Sequence, residues 1–362
     1  MDDKRIELLR NLVDGFGPSG FEREITEIVS KIMHPIADKI TVDKLGSVHF
    51  SKKGTADRPR ILITGHCDEV GFIVSGITKD GYLKFNPLGG WWSQVLLGQR
   101  VIIRNRKGKK LFGVIAAKPP HLLTPEERKK LVEREAMFID VGASSEEDVK
   151  EMDIKIGDPI VPDSSFTLIR DGSVAAAKAF DDRIGAFIAM EVIRRLREQK
   201  ISHPNTVIGA ATVQEEVGLR GARTTAHYWE PDVGFALEVD IAGDVPGIKP
   251  EEAASKLGGG PSLVTMDRSM IPNQQLLEFV MATAEKNKIP YQLSQTYGGG
   301  TDAGVIHLDR SGCPSLVIGV ATRHIHSHVG ILNLQDLERT IELLIEIVKG
   351  LDEKTVKGFT EL

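Results

Sequence analysis

The chain has 362 residues, 41% of them hydrophobic and 27% charged, and a formal net charge of −5. That length fills one large α/β unit with a smaller one beside it. The mild acidity lacks the basic footprint of a protein for nucleic acid or anionic lipid, and no apolar run reaches membrane-spanning length, so neither nucleic acid nor a membrane is expected as a partner. Two distant cysteines, Cys67 and Cys313, and an N-terminus without the apolar stretch of a signal peptide point to a reducing, cytoplasmic location.

In chain order, Leu8, Leu9, Leu12 and Val13 predict a short amphipathic helix that stops at Gly15. Ser19-Gly-Phe-Glu22 reads as a capping box, opening a second helix with Ile25, Ile28, Val29, Ile32 and Met33 on one face. Val48–Phe50 and Arg60–Gly65 read as strands, and the second runs straight into His66-Cys-Asp68-Glu69.

From Gly71 to Pro162 the texture changes to short alternating strands punctuated by glycine and proline, with a hairpin turn at Arg106–Lys110. Helical patches are expected at Thr124–Leu131 and after the capping pattern Ser144–Glu147. The whole stretch reads as a small β-rich domain, residues 71–162, inserted into a larger domain made of residues 1–70 and 163–362. Gly89-Gly-Trp91-Trp92 within it reads as a packing or subunit-contact element.

The α/β rhythm then resumes with Ser173–Gly185 and a long helix to about Gln199. A strand, Thr206–Val213, leads into Gln214-Glu215-Glu216, and a helix follows near Ala222–Tyr228. The strand beginning at Val233 ends in Glu238 and Asp240. After a helix over Gln274–Lys286 and a glycine-rich loop, Gly298–Asp302, the strand Pro314–Val320 feeds His326. A helix over Leu332–Gly350 closes the fold. Helices alternating with buried strands predict an α/β fold: a mixed, mostly parallel sheet with helices on both faces.

Four apolar strands thus end in His66/Asp68, Glu215/Glu216, Glu238/Asp240 and His326, and Asp181-Asp182 stands at a helix entry. Open α/β sheets gather ligands at the carboxyl ends of their strands. A lone histidine at a strand end is usually structural, and Asp-Asp before a helix usually caps it. Bringing so many carboxylates together, however, is prohibitive without cations, and imidazoles with carboxylates suit zinc above other divalent ions. On an extended backbone adjacent glutamates point opposite ways, so one can hold an ion while its neighbour stays free to act. Asp68, two residues beyond His66, is placed to accept a hydrogen bond from the second nitrogen of that ring.

These motifs, His66-x-Asp68-Glu-Val-Gly71, Ala179-Phe-Asp181-Asp182-Arg-x-Gly185, Gln214-Glu215-Glu216-Val-Gly-x-Arg-Gly221 and Thr322-Arg-His-Ile-His326-Ser, resemble the tetrahedral, or deblocking, dinuclear metallo-aminopeptidases, a glutamyl/leucyl family also labelled cellulase-like. The resemblance covers essentially the whole chain. It implies two divalent cations per subunit, zinc or else cobalt or manganese, with Asp181 bridging and His66, Glu216, Glu238 and His326 completing the shell. It implies Glu215 as the general base acting on a water between the ions, a cis peptide at Asp181–Asp182, and peptide substrates with a free amino terminus. It also implies a homo-oligomer of dodecamer type, with the inserted domain in contacts and substrate access.

The sequence departs from the family at Glu238, where many relatives carry aspartate. Asp240, two residues on, is the alternative ligand or a residue of the substrate pocket, and His324 and His328 flank His326 as further candidates. Rival readings are a carboxypeptidase or deacylase on the same core, a glycoside hydrolase using two carboxylates without metal, and a non-catalytic metal-binding assembly protein.

Overall fold

The computed structural model describes residues 1–361. Four strands, Thr206–Thr212, Arg60–His66, Val233–Ile241 and Ser315–Arg323, lie side by side and parallel at the centre of the principal sheet. They are buried along nearly their whole length, as apolar runs are when helices cover both faces. Antiparallel strands extend the sheet, Val48–Lys53 and Lys39–Val42 at one side, Gly330–Asn333, Val174–Ala177 and Thr167–Ile169 at the other. Ser262–Asp267 also pairs with Ser315–Arg323 and carries Gln292–Thr296 beside it. The expected mixed sheet is therefore parallel at its centre and mostly antiparallel at its flanks, where Ser262–Asp267 and Gln292–Thr296 alone pair in parallel.

Side chains alternate across the sheet with a period of two. Ile61 and Ile63 join the main core under the helices Phe180–Glu198 and Leu334–Gly350, whereas Leu62 packs on the opposite face with the helix Arg220–Trp229. Where Arg60–His66 meets the start of Phe180–Glu198, the backbones nearly touch. A Cβ on Gly65 would lie 2.1 Å from the Gly185 carbonyl carbon. Only glycine lets the strand end and the helix start come together there, and this sets His66 against Asp181 and Asp182.

Six strands between Gly71 and Pro162 close into a separate barrel: Gly71–Ile77, Leu83–Leu88, Phe138–Asp140, Lys110–Ala116, Arg100–Arg104 and Pro159–Pro162. Its interior is a distinct apolar cluster that includes Phe72, Phe85, Val101, Ile103, Ile139 and Ile160. Trp91 stacks on Phe72 at 4.7 Å and donates its Nε1–H to the Gly71 carbonyl at 3.1 Å, while Trp92 is exposed.

Local expectations fail where side chains find distant partners. The helix Arg23–Met33 has Glu22 at its N-cap but no side-chain capping bond, because Ser19 and Glu22 turn toward the strand ends instead. The helical patch over Thr124–Leu131 is reduced to one 3₁₀ turn, Glu127–Lys129, with Leu131 exposed. The cap near Ser144 is formed one residue later, by Ser145. Gly258 and Gly260 donate their amides to the Asp336 carboxylate in the last long helix.

Candidate active site

The parallel register brings the carboxyl ends of the central strands level, Thr212 beside His66 and Glu238 beside Gly319. His66, Asp181 and Glu238 form one group of donors, and Asp181, Glu216 and His326 form a second, each within 4.8 Å. Asp181 belongs to both: its Oδ1 lies 3.1 Å from His66 Nε2 and its Oδ2 lies 3.2 Å from His326 Nε2. Glu238 Oε2 stands 3.8 Å from His66 Nε2, and Glu216 Oε2 stands 3.7 Å from His326 Nε2. The Asp181–Asp182 peptide is cis.

Both imidazoles are oriented by backbone carbonyls, which can only accept. His66 Nδ1 lies 3.1 Å from the Asp68 carbonyl, and His326 Nδ1 lies 2.9 Å from the Gly90 carbonyl in the barrel. The proton therefore sits on Nδ1 of each neutral ring, and Nε2 presents a lone pair to carboxylate oxygens. Lone pairs facing carboxylates repel unless a cation or protons lie between them. Among the described residues, Glu216 Oε1 is buried with no hydrogen-bond partner. The donor set thus fits divalent cations.

The titration of these groups carries the same signature. Burial pushes the Glu216 carboxyl up to about 8, helped by the charge of Asp181, and drives Glu215 and Glu238 well above the usual carboxylate range. Burial works against His326, yet its hydrogen bond to Asp181 and the charge of Glu216 push the ring up to about 10. Asp181 is held low against burial by its bonds to His326 and His66. Without cations, protons must supply the missing positive charge.

Glu215 belongs to neither donor group, although its Oε2 comes within 3.8 Å of His66 Nε2. The two glutamates do not alternate on a strand as expected, because the strand ends at Thr212 and Gln214 takes a left-handed φ of 57°. They lie in a turn whose successive amides are held by carboxylates. Glu22 Oε1 accepts from Gln214 N at 3.1 Å, Asp68 Oδ1 from Glu215 N at 3.0 Å, and Asp68 Oδ2 from Glu216 N at 3.2 Å and Ser19 Oγ at 2.6 Å. Asp68 thus serves the turn chiefly; its carboxylate is 3.4 Å from His66 Nδ1, farther than its own carbonyl.

Two residues escaped the sequence reading. Glu22, whose capping pattern hid it, is pushed up to about 7 by burial and by Asp68. Asp302 is buried close enough for its charge to raise the Glu215 carboxyl, its Oδ2 accepting from Thr212 Oγ1 at 2.6 Å and its Oδ1 unpartnered among the described residues, and burial pushes it up to about 6. Of the flanking histidines, His328 packs edge-on against Trp91 with neither nitrogen partnered, and His324 joins neither donor group. Asp240 turns its Oδ2 to Ser255 and Ser262 rather than to His66 or Asp181.

An open α/β sheet carrying these donors beside a free carboxylate defines a cation-dependent hydrolase. The family model of M42 glutamyl aminopeptidases matches residues 46–343, and the chain belongs to that family. It is 34% identical to the lysyl aminopeptidase of Pyrococcus furiosus over 96% of this chain and 98% of that protein. Its structure is similar to that of a TET aminopeptidase from the marine sediment archaeon Thaumarchaeota archaeon SCGC AB-539-E09, with a TM-score of 0.97 and 65% identity over 99% of both chains. It is also similar to the Pyrococcus horikoshii TET1 peptidase, which can assemble into a tetrahedron or a large octahedral shell. There the TM-score is 0.84 and the identity 35%, over 96% of this chain and 100% of that one. The chain is accordingly an aminopeptidase, a hydrolase of peptide bonds whose chemistry uses divalent metal.

Proposed function

We propose that this aminopeptidase holds two divalent cations, zinc in the first instance and cobalt or manganese as alternatives, and that Glu215 is its general base. The observation that carries this reading is the division of Asp181 between two donor groups. His66 and Glu238 would hold one ion, Glu216 and His326 the other, and Asp181 would serve both. Such ions, when bound, polarise a peptide carbonyl and lower the pKa of water toward neutrality.

Glu215 lies on the wall of the cleft that opens onto the donor groups and is engaged by neither of them. Its carboxylate is thus free to take the proton of the attacking water and to hand it to the leaving amine. Glu216 could not do so while engaged as a ligand, which is why the turn needs two carboxylates. Asp68 and Glu22 fix the amides of that turn and so the aim of both glutamates.

We further propose that residues 1–70 and 163–362 form the catalytic unit and residues 71–162 an inserted unit that governs access and contacts between copies. The hydrogen bond from His326 to Gly90 and the exposed Phe112, Leu122 and Leu131 of the barrel segment support this. By likeness to the P. horikoshii protein, which can assemble into a tetrahedron or a large octahedral shell, and to PhTET1-12s, a dodecamer in its asymmetric unit, we infer a closed homo-oligomer of dodecamer type, which sedimentation would show directly. The two free, buried cysteines support a cytoplasmic setting. Among the described residues no helix is long and apolar enough to cross a membrane.

The test of the catalytic reading is hydrolysis of aminoacyl-nitroanilides by protein loaded with zinc, cobalt or manganese, beside N-blocked controls. Cleavage of free but not blocked substrates, lost on chelation, is expected. Cleavage that survives chelation would overturn it.

A further inference from the structure

The cleft beside the donor groups is narrow, about 100 Å³, and runs past Glu238 to Asp240. Gly299, Gly300 and Thr301 also line it. Asp240 follows Glu238 by two residues on the strand Val233–Ile241, so both side chains leave the same face. Only 4% of Asp240 is exposed. Its Oδ2 accepts from Ser255 Oγ and Ser262 Oγ, both at 2.5 Å, and Ser294 Oγ stands 2.9 Å behind Ser262 Oγ. Among the described residues its Oδ1 has no hydrogen-bond partner, and Asp240 lines the cleft wall.

Asp267, the other carboxylate in this part of the wall, has both oxygens engaged within the chain. Oδ1 accepts from Ser269 N, Ser269 Oγ and Met270 N, and Oδ2 accepts from Thr301 Oγ1 at 2.9 Å. Among the described residues no lysine or arginine lines the cleft. Beyond the donor groups and Glu215, the cleft therefore offers an incoming side chain the open carboxylate oxygen of Asp240, whose partner oxygen is held by two hydroxyls, and no lysine or arginine to oppose a cation.

We propose that Asp240 sets the specificity of this aminopeptidase and that the chain selects peptides whose amino-terminal residue carries a cationic side chain, lysine or arginine. The proposal rests on the reading that the residue to be removed occupies this cleft, next to Asp181 and Glu215. A lysine or arginine reaching Asp240 forms a charge-assisted hydrogen bond where little water competes. A leucine side chain leaves Oδ1 desolvated and unpaired, and a glutamate brings a second carboxylate against the first. The expected order is lysyl and arginyl, then leucyl, then glutamyl, contrary to the glutamyl preference in the family's description.

The experiment compares kcat/KM of the full, metal-loaded protein on lysyl-, arginyl-, leucyl- and glutamyl-nitroanilides, with calorimetric binding of L-lysinamide against L-norleucinamide alongside. Wild type should favour lysyl over leucyl by about tenfold or more. Asp240→Asn, which can still accept from the serines, should lower kcat/KM on lysyl substrate by about tenfold and leave leucyl within about threefold. L-Lysinamide should lose a similar factor. A wild type that prefers leucyl or glutamyl substrate overturns the proposal without any variant, as does a lysyl-to-leucyl ratio unchanged by Asp240→Asn. Failure to cleave any of the four substrates would sink the aminopeptidase reading instead, and the two amides would then decide selectivity on their own.

Discussion

Two sets of buried charge lie close together in this molecule, and they are compensated in opposite ways. Glu69 meets cations of its own chain: Lys178 Nζ lies 2.8 Å from both of its oxygens and Arg183 lies 2.8 Å from one. Arg183, fully buried, also donates to the carbonyls of Leu12, Val13, Gly15, Gly17 and Cys67, tying the N-terminal segment to the sheet. Asp181, only two residues before Arg183, shares its surroundings with Glu216 and Glu238 and has only imidazoles to answer them. A buried carboxylate matched by guanidinium and ammonium groups is a joint of the fold. A buried carboxylate set with none takes its cations from solution, and so marks the place where the chemistry happens.

The contrast breaks most sharply at Glu215. Glu215→Gln should lower turnover on an aminoacyl-nitroanilide roughly 10²–10⁴-fold while bound metal, measured by elemental analysis, stays at wild-type level. Glu216→Gln should instead lose metal, and near-normal turnover in Glu215→Gln would remove it from the role of base. The next effect falls on stability. Arg183→Met takes from Glu69 one of its two cationic partners, leaves the carbonyls of Leu12, Val13, Gly15, Gly17 and Cys67 without that donor, and should cost about 3–5 kcal/mol in denaturant unfolding of the chelated protein. Glu238→Gln, by contrast, removes a buried carboxyl that no lysine or arginine among the described residues answers. In the chelated protein it should leave the melting temperature unchanged or raise it, with the loss appearing only as weaker cation binding. Equal destabilisation by Arg183→Met and Glu238→Gln would dissolve the distinction between joint and site.

Sequence reasoning reached as far as local pattern does. Apolar runs that end abruptly in His66, Glu215, Glu238 and His326 are visible without a structure, because a buried parallel strand and its terminal charge are contiguous in the chain. Short strands such as Val174–Ala177 and Gly330–Asn333 were not visible, since their pairing with each other, rather than propensity, makes them strands. Ser19 and Glu22 read as a capping box because that signature is local, but Glu22 accepts from an amide 192 residues away. Asp302 read as part of a loop, and only its bond from Thr212, 90 residues earlier, ties it to the end of the strand that leads to Glu215. The expected bond from His66 to the Asp68 carboxylate assumed an extended strand through both, whereas the strand stops at His66 and the Asp68 carboxylate turns to the 214–216 amides.

Glu22 gives the smallest and most discriminating prediction. Glu22→Ala leaves the Gln214 amide without its acceptor, so the turn loses one of the bonds that aim Glu215. Turnover should fall about tenfold, the worth of one such bond, with KM and metal content unchanged. Glu22→Gln retains an acceptor oxygen and should keep most of the wild-type rate; a wild-type rate in Glu22→Ala would end the positioning role. A pH signature separates the two. The Glu22 carboxyl is raised from 4.5 to about 7 in the folded protein by burial and Asp68. A carboxyl raised on folding contributes stability that is fully present below its unfolded value and is lost as pH rises through the folded one. Wild type should therefore lose stability relative to Glu22→Gln as pH rises from about 4.5 to about 7, and the gap should be constant above. A difference in melting temperature that stays flat across that window would mean that Glu22 is charged throughout, and that the 214–216 turn is held by a carboxylate rather than by a neutral acid.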